Sequence, residues 1–419
     1  MHSEEFKDRH RVRPEDFTRN SPLSFDRVAL TICGNMQTTY AAEMIRTFKR
    51  LDGDEFDMVD QPDSSAFSHA RSKLEATAFV ELNSLVLNLS EQHLGEHLEV
   101  WKGCRILGLD GSTLQLPDTP EVRAQFDPKC GEKAIPHARI SECTDVLNGI
   151  VVDSVITPME VGERELFRRH LDMIAIGDFL LTMDRGYAAH WLFQLCLDES
   201  VPFVARVKLD HSGEVAAFVA SGATEGEILF EPTAVSRDVL GEEGVEPAAF
   251  RLRAARIELD SGETEILVTN IREEEMQFCE LSLCYELRWG SETQFRHQKS
   301  HFQMENFSGR TPRSIRQDYH ARILMLNLAA VLALPAHAVI REETAHRKHT
   351  YFINMANAAR AMRDEAVSLL GHLTDTVSAL ANILVRFASD LSIWRYGRQF
   401  VHERKNPGRK FHTSYKPIG

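Results

Sequence analysis

The spacing of apolar residues along the chain changes from a helical to an extended pattern near Arg105. Before that point the spacing is typical of amphipathic helices, separated by polar loops such as DGDEFDMVDQPD at 52–63. Asp63 or Ser64 is a suitable N-cap for the helical segment that follows this loop. We therefore predict a helical N-terminal region over 1–100.

Beyond Arg105, short runs rich in β-branched and apolar residues predict strands. These runs are RILGLDGSTLQL, ARISECTDVLNGIVVDSVIT, DFLLTM and VPFVARVK. Helical spacing lies between the later runs, in GERELFRRHLDMIAI and AAHWLFQLCLDES. The first three predicted strands follow one another without a helix between them, whereas helices separate the later ones. This order predicts an α/β layer with an antiparallel start and a parallel continuation. We assign 101–207 to the first part of this domain.

The remaining segments differ in charge and in pattern. Acidic residues strongly outnumber basic ones over 208–265, where FRLRAARIEL and ETEILVTNI predict a β-rich insertion. We expect 266–335 to complete the core domain and 336–419 to form C-terminal helices with a basic tail.

The uncharged run from Ile323 to Ile340 is long enough to span a membrane. Because it contains Asn327 and Pro335, we predict instead a buried helix that ends near Pro335, and no membrane contact.

Composition and charge narrow the function classes. The chain has 419 residues, 43% of them hydrophobic, which predicts a globular protein with a sizeable core. Its 7 cysteines include no CxxC pair, so we expect a reducing, cytoplasmic location, and the charged start predicts no signal peptide. The net charge of −14 argues against nucleic-acid binding overall. Distant charges are screened from each other, however, so an acidic insertion does not exclude a basic groove elsewhere.

Basic residues at both ends of the chain are candidate DNA contacts. Arg71 and Lys73 lie on a predicted N-terminal helix that would suit a DNA groove, and Arg409 and Lys410 lie in the basic tail. Two alternatives remain open at this point. The N-terminal helices are equally typical of a small packed subdomain, and the tail of a solvated terminus.

Three acidic residues stand apart from the rest. Asp110 and Asp184 follow apolar strands of the same predicted sheet, where α/β folds gather their sites. Glu292 lies in LCYELRWGSETQFRHQKSHF, whose helical spacing places Glu292 within an arc of about 60° with three other polar or amphipathic residues. Those three are Tyr285, Arg288 and Lys299.

Two aspartates and a glutamate that meet in one cleft would form an oxygen-only ligand set. Such a set suits Mg²⁺ or Mn²⁺, and two such ions can promote cleavage and transfer of a phosphodiester. The alternative is that both aspartates cap strand ends and that Glu292 pairs with Arg296 on its own helix.

These residues resemble the catalytic domain of bacterial DDE transposases, in the insertion-sequence family conventionally numbered four. That family carries Tyr-x2-Arg-x3-Glu-x6-Lys, and the residues at 285, 288, 292 and 299 match this spacing without a gap. The matching segments include DGSTLQLPDT, DFLLTMDRGY and YELRWGSETQFRHQK. The resemblance runs from about Phe17 to the basic tail, and it is weak before residue 100.

The resemblance implies a ribonuclease-H-like mixed sheet with a β-rich insertion, flanked by helical regions. It also implies that Asp110, Asp184 and Glu292 are the catalytic metal ligands for two Mg²⁺ or Mn²⁺ ions, and that the other three motif residues hold the DNA end. Family members cut double-stranded DNA at terminal inverted repeats and join a 3′-hydroxyl to target DNA. A homodimer on DNA, acting at the nucleoid in the bacterial cytoplasm, is the corresponding expectation.

Other functions remain as alternatives. The protein would otherwise be a silent or domesticated DNA-binding relative, or a ribonuclease-H-like endonuclease that does not transpose. A glycosidase would also use paired carboxylates, but that function leaves Arg288 and Lys299 unexplained. Trp289 is either a stacking surface for a displaced base or part of the helix-packing core.

Overall fold

The computed structural model describes residues 1–59, 61–259, 262–349, 351–371, 376–389 and 391–393. The N-terminal region is helical, as predicted. Its helices are α1 (Glu4–His10), α2 (Phe25–Cys33), α3 (Tyr40–Asp52), α4 (Ser64–Arg71) and α5 (Thr77–Leu94). Asp63 is the N-cap of α4, since its side chain accepts a hydrogen bond from the backbone N–H of Ala66 at 2.7 Å.

The central layer is a mixed sheet with helices packed against it. Its elements are β1 (Arg105–Gln115), α6 (Pro120–Phe126), β2 (His137–Asp145), β3 (Ile150–Thr157), α7 (Glu163–Ile176), β4 (Phe179–Met183), α8 (His190–Asp198) and β5 (Phe203–Val207). The strands lie in the order β3-β2-β1-β4-β5. The first three pair antiparallel, whereas β1 pairs parallel with β4 and β4 parallel with β5. The predicted ribonuclease-H-like α/β sheet is therefore confirmed.

The acidic segment extends this sheet. It contains α9 (Gly213–Ser221), β6 (Glu225–Phe230), α10 (Ala234–Glu242), β7 (Phe250–Glu258) and β8 (Thr264–Thr269). β8 pairs antiparallel with β5, β7 with β8, and β6 with β7. In the described residues, β1 to β8 therefore form one eight-stranded sheet. The addition of β8 gives hydrogen-bond partners to backbone N–H and C=O groups of β5 that would otherwise be unpaired at the edge of the sheet. The insertion is thus a continuation of the core sheet, with helices as well as strands.

Two short helices carry the Tyr-Arg-Glu-Lys residues back to the sheet. They are α11 (Phe278–Leu287) and α12 (Trp289–Ser300), separated at Arg288. The sequence predicts one continuous helix here. Arg288 keeps right-handed helical backbone angles, with φ −52° and ψ −30°, so the four residues stay on related faces despite the interruption.

The C-terminal part surrounds one long helix. It comprises α13 (Pro312–Thr344), β9 (Tyr351–Ile353), α14 (Met355–Leu370), α15 (Thr376–Ser389) and β10 (Leu391–Ile393). By length and composition α13 is apolar enough to cross a membrane, but 67% of its most apolar window is buried inside the fold. It is packed as a core helix.

The prediction that this helix ends near Pro335 is wrong. A proline inside a helix removes one hydrogen bond and crowds the preceding turn, which disfavours but does not forbid continuation. Here Leu334 and Ile340 are both buried, on either side of the proline. Their burial offsets the proline penalty, and the helix continues to Thr344.

Candidate active site

The two aspartates lie on neighbouring strands. Leu109 of β1 is aligned with Met183 of β4 in the parallel pairing, and Asp110 and Asp184 directly follow these residues. Both aspartates therefore lie at the same edge of that pairing, as predicted. Asp110 does not end its strand, however. β1 continues because β2 still pairs with it there, Asp110 being opposite Glu142.

Tyr285 and Arg288 connect all three carboxylates. The Tyr285 hydroxyl donates a hydrogen bond to Asp184 Oδ1 at 3.1 Å. Arg288 Nη2 donates to Glu292 Oε1 at 3.3 Å, and Arg288 Nη1 lies 3.9 Å from Asp110 Oδ2. Three acidic residues that are far apart in the sequence thus meet around two side chains that lie about one helical turn apart.

Glycines allow the helix to approach the sheet this closely. A Cβ at Gly108 of β1 would overlap the Ser291 hydroxyl, and a Cβ at Gly290 would lie 2.7 Å from Cβ of Val146. Side chains at either glycine would push α12 away from β1. The short distance between helix and sheet is what brings Glu292 towards the aspartates.

Burial and charge oppose each other within this cluster. Burial raises the pKa of Asp110 to about 6, against the opposing effect of the Arg288 charge. Burial by itself lowers the pKa of Arg288, but Tyr285, Asp184 and the other facing carboxylates raise it above its ordinary value. Arg288 is 5% exposed, so its guanidinium is a buried positive charge that interacts with all of these carboxylates.

The carboxylates suit a hard divalent cation by their chemistry. Two aspartates and a glutamate supply oxygen ligands of the kind that Mg²⁺ and Mn²⁺ prefer. In the part of the chain that the structure describes, no three His, Cys, Asp or Glu side chains lie close enough to hold one metal ion. Arg288 lies among the carboxylates instead, and its buried Nε has no hydrogen-bond partner among the described residues. The Glu292 side chain is 42% exposed, which leaves it room to turn towards the aspartates.

Lys299 and Trp289 border the same cluster. Lys299 Nζ donates a hydrogen bond to the Ser112 hydroxyl at 2.8 Å, two residues beyond Asp110 on β1. Trp289 is 61% exposed, so it is a surface side chain and does not belong to the packing core. The Trp289 ring lies 5.9 Å from the guanidinium carbon of Arg288, so Trp289 borders the cluster through Arg288 and Lys299 borders it through Ser112.

The family follows from a comparison with known protein families. The model of the transposase DDE domain matches residues 101–328, which is more than half of the chain. The chain belongs to this family. It is accordingly a transposase enzyme, and the matched region contains both aspartates, Glu292 and Lys299. None of the curated proteins matches its sequence significantly.

Solved structures that are similar to this chain include that of the piggyBac transposase in a synaptic complex with hairpin DNA, determined by cryo-EM. The superposition has a TM-score of 0.43 and 11% sequence identity, and it covers 90% of this chain and 79% of that chain. At this level the likeness is distant. The family assignment rests on the match over 101–328.

The transposase domain holds a further buried carboxyl that the sequence reasoning missed. Glu142 is 1% exposed, and burial raises its pKa to about 7, while hydrogen bonds from Gln298 and Tyr319 oppose that shift. The signal in the sequence is weak. It is an acidic residue inside ARISECTD, a run otherwise typical of a buried strand.

Glu163 was missed as well. It begins α7, and its carboxylate lies beside both aspartate segments, 3.1 Å from where a Cβ at Gly111 would be and 3.7 Å from one at Gly186. Arg139 Nη1 pairs with Glu163 Oε1 at 2.7 Å. This ion pair therefore borders the site on the side opposite α12.

The prediction that Arg71 contacts DNA is wrong. Arg71 is 2% exposed and pairs with Asp318 Oδ1 at 2.7 Å. It also donates hydrogen bonds to Gln317, Ser308 and the backbone carbonyl of Ser314. These bonds to α13 and the segment before it occupy the guanidinium, so Arg71 holds the N-terminal helices against the core.

The other predicted DNA contacts have different outcomes. Lys73 is half-buried and lies just beyond α4. Arg409 and Lys410 lie outside the described residues. Tyr285, like Arg288, is 5% exposed, so in the structure these two side chains face the carboxylates.

Proposed function

We propose that this transposase cuts DNA at the terminal inverted repeats of its own insertion sequence and joins the freed 3′-hydroxyl to target DNA. The reaction is a divalent-metal-dependent cut-and-paste transposition, and the element belongs to the insertion-sequence family conventionally numbered four. The observation that carries this proposal is the meeting of Asp110, Asp184 and Glu292 around Tyr285 and Arg288. Metal-assisted cleavage of phosphodiesters uses carboxylate ligands of this kind.

The three carboxylates share one role in this proposal, and the residues around them have others. Asp110, Asp184 and Glu292 would hold Mg²⁺ or Mn²⁺, two ions in the active complex, and such ions would supply activation of the attacking hydroxyl and charge stabilisation of the leaving oxygen. Tyr285 holds the Asp184 carboxylate in one orientation. Arg288 balances the three negative charges, and a guanidinium also binds phosphate oxygens in a bidentate manner, so it is suited to hold the DNA end.

The DNA lies along the side of the site where Lys299 and Trp289 border the solvent. Lys299 supplies a point charge for a phosphate, and the exposed indole of Trp289 supplies a face on which a displaced base stacks. Lys73 in the candidate DNA-binding region 1–100, together with Arg409 and Lys410, adds contacts farther away. The protein works as a homodimer on double-stranded DNA in the bacterial cytoplasm, because both element ends must be held together.

Incubation with DNA that carries the flanking inverted repeats tests the proposal. With Mg²⁺ or Mn²⁺ we expect cleavage at the repeat ends and joining to a target plasmid, and neither with EDTA. Asp110→Asn, Asp184→Asn and Glu292→Gln should each stop cleavage and joining while binding of the ends survives. Binding without cleavage by the unaltered protein would indicate a silent relative, and cleavage without joining a non-transposing nuclease.

A further inference from the structure

Glu142 lies next to the proposed catalytic cluster without belonging to it. It is the antiparallel cross-strand partner of Asp110. Residues opposite each other on antiparallel strands point to the same face of a sheet, so Glu142 faces the side from which α12 approaches. The carboxyl is 1% exposed, which excludes contact with DNA.

Both oxygens of Glu142 are occupied by other parts of the protein. Oε2 accepts a hydrogen bond from Gln298 Nε2 of α12 at 2.5 Å, and Oε1 accepts one from the Tyr319 hydroxyl of α13 at 3.0 Å. Gln298 and Tyr319 are themselves fully buried. A buried donor that loses its acceptor is left without compensation for its lost hydration, so these two bonds strongly favour one local geometry.

The face of α12 that packs on the sheet is polar at three positions. Ser291, Gln294 and Gln298 are each at most 5% exposed and are spaced three and four residues apart, which places them on one side of the helix. Gln294 Nε2 donates to the Gly149 carbonyl at 2.7 Å. Hydrogen bonds depend steeply on angle as well as distance, so the bonds made by Gln294 and Gln298 favour one rotation of the helix.

Rotation of α12 determines where Glu292 and Lys299 point. Side-chain ends lie about 6 Å from a helix axis, so a rotation of about 20° displaces them by about 2 Å. Catalytic groups tolerate displacements of roughly 0.5 Å. Gln298 immediately precedes Lys299, which makes it the closest fixed point to that lysine on the helix.

We infer that Glu142 is a positioning residue of the transposase. By holding Gln298, it sets the rotation of α12 and so presents Glu292 to the aspartates and Lys299 to Ser112. This inference rests on the proposed function, since it assigns a role in the same reaction. Glu142 itself touches neither the DNA nor the reacting atoms.

Two variants of Glu142 separate positioning from simple packing. Glu142→Leu removes both acceptors, and we expect single-turnover cleavage of pre-bound repeat ends to fall at least tenfold, while affinity for those ends falls no further than it does in Lys299→Ala. Glu142→Gln keeps one acceptor oxygen. Its amide can donate to Gln298 Oε1, which has no partner among the described residues, so cleavage should stay within threefold of the unaltered rate. Equal loss in both variants would overturn the inference.

A double-mutant cycle tests whether Glu142 acts through Gln298. Gln298→Leu alone should slow cleavage as Glu142→Leu does, and the double variant should be no slower than the slower single variant. Multiplying losses would show that the two residues act independently and would overturn the inference. Gln298→Leu also serves as the test variant if Glu142→Leu does not fold.

Hydrogen exchange of the free protein gives a readout that needs neither DNA nor metal. Backbone amides of 290–300 should exchange faster in Glu142→Leu than in the unaltered protein or in Glu142→Gln. Glu43→Gln is the matched control, because Glu43 is also a buried carboxyl, 1% exposed, and accepts hydrogen bonds from the backbone N–H groups of Gln37 and Thr38 among the N-terminal helices. It should lower the melting temperature and leave both α12 exchange and cleavage unchanged.

The outcomes distinguish the two proposals. If the unaltered protein does not cut its repeats with any divalent cation, the proposed function fails, and the exchange experiment still decides whether Glu142 holds α12. If it cuts, and Glu142→Leu cuts equally fast or leaves the exchange of α12 unchanged, as Glu43→Gln does, the positioning role fails.

Discussion

The hydroxyl of Tyr285 donates a hydrogen bond to Asp184 Oδ1 across 101 positions of sequence, at 3.1 Å. Burial raises the pKa of Tyr285 far above its usual value, so the phenol keeps its proton and remains a donor at any physiological pH. The bond fixes the carboxylate of Asp184 beside Arg288, whose guanidinium centre lies 5.4 Å from the Tyr285 ring. Asp184 is therefore oriented by the same helical segment that brings Glu292 to the site.

Removing that hydroxyl should slow the chemistry without loosening DNA binding. A lost hydrogen bond to a charged group is worth about 1.5–3 kcal/mol, so Tyr285→Phe should reduce single-turnover cleavage roughly tenfold or more. Tyr40→Phe is the control, since it removes a hydroxyl that bonds Arg71 at 3.2 Å, outside the site. Undiminished cleavage by Tyr285→Phe would show that Asp184 needs no such orientation.

The raised pKa of Asp110 predicts a pH-dependent cost to stability. An acid whose folded pKa lies above its unfolded value destabilises the fold as pH rises from about 4 to about 6, and the full cost remains above that range. The shift corresponds to about 2–3 kcal/mol. Asp110→Asn should therefore gain stability over the unaltered protein between pH 4 and pH 7 in metal-free urea denaturation. A stability difference between the two proteins that is independent of pH would contradict this.

Arg71 should stabilise the fold through its ion pair with Asp318 and should not contact DNA. Breaking a buried pair by removing one partner costs about 3–5 kcal/mol, so Arg71→Met should lower the free energy of unfolding by that amount. Arg313→Ala is the control, because Arg313 pairs with Glu75 at the surface and such pairs contribute about 0–1 kcal/mol. If Arg71→Met instead keeps the free energy of unfolding of the unaltered protein and loses affinity for repeat DNA, then Arg71 contacts DNA and its ion pair does not stabilise the fold.

Lys299 should contribute one phosphate contact. Lys299→Ala is expected to flatten the dependence of log affinity on log salt by about one unit, measured with repeat-end duplexes. Lys129 is the matched control, since its side chain is 83% exposed and pairs with Glu160. Lys129→Ala should leave the slope unchanged, and an unchanged slope for Lys299→Ala would place that lysine away from the DNA backbone.

Trp289 should act as an aromatic surface. Because it is 61% exposed, Trp289→Ala should leave the free energy of unfolding within about 0.5 kcal/mol. Loss of a stacked base costs about 1–3 kcal/mol, so cleavage or end affinity should fall about tenfold, and Trp289→Phe should recover much of it. Fluorescence of 2-aminopurine placed at the repeat end reports the stacking directly, and equal fluorescence with the unaltered protein and with the Trp289→Ala variant would exclude it.

Much of the core sheet is predictable because its strands are locally distinctive. Short apolar runs such as those of β1 and β4, which are bounded by Gly and Asp, favour strands that are buried in a sheet. The Tyr-Arg-Glu-Lys spacing is an equally good predictor of the site, because helical geometry places those four side chains on related faces even across the interruption at Arg288. In both cases a pattern over a few residues decides the outcome.

Other features depend on partners that are distant in sequence. Arg71 and Lys73 look alike as basic residues on a helix, yet Arg71 is buried because Asp318 and Gln317 lie opposite it. Glu142 looks like a misplaced charge in a strand until Gln298 and Tyr319 are seen to bond it. Continuation of the helix through Pro335 likewise depends on the burial of residues beyond it.

By itself, the sequence determined most strands of the core sheet, the three candidate acids and the motif that points to a transposase. Only the tertiary structure decided which polar side chains face the site, which are locked in the interior, and that the acidic segment continues the sheet. The physical reason is that periodicity is a local property of the chain, whereas burying a charge is favourable only when a specific partner, supplied by another part of the fold, compensates its desolvation.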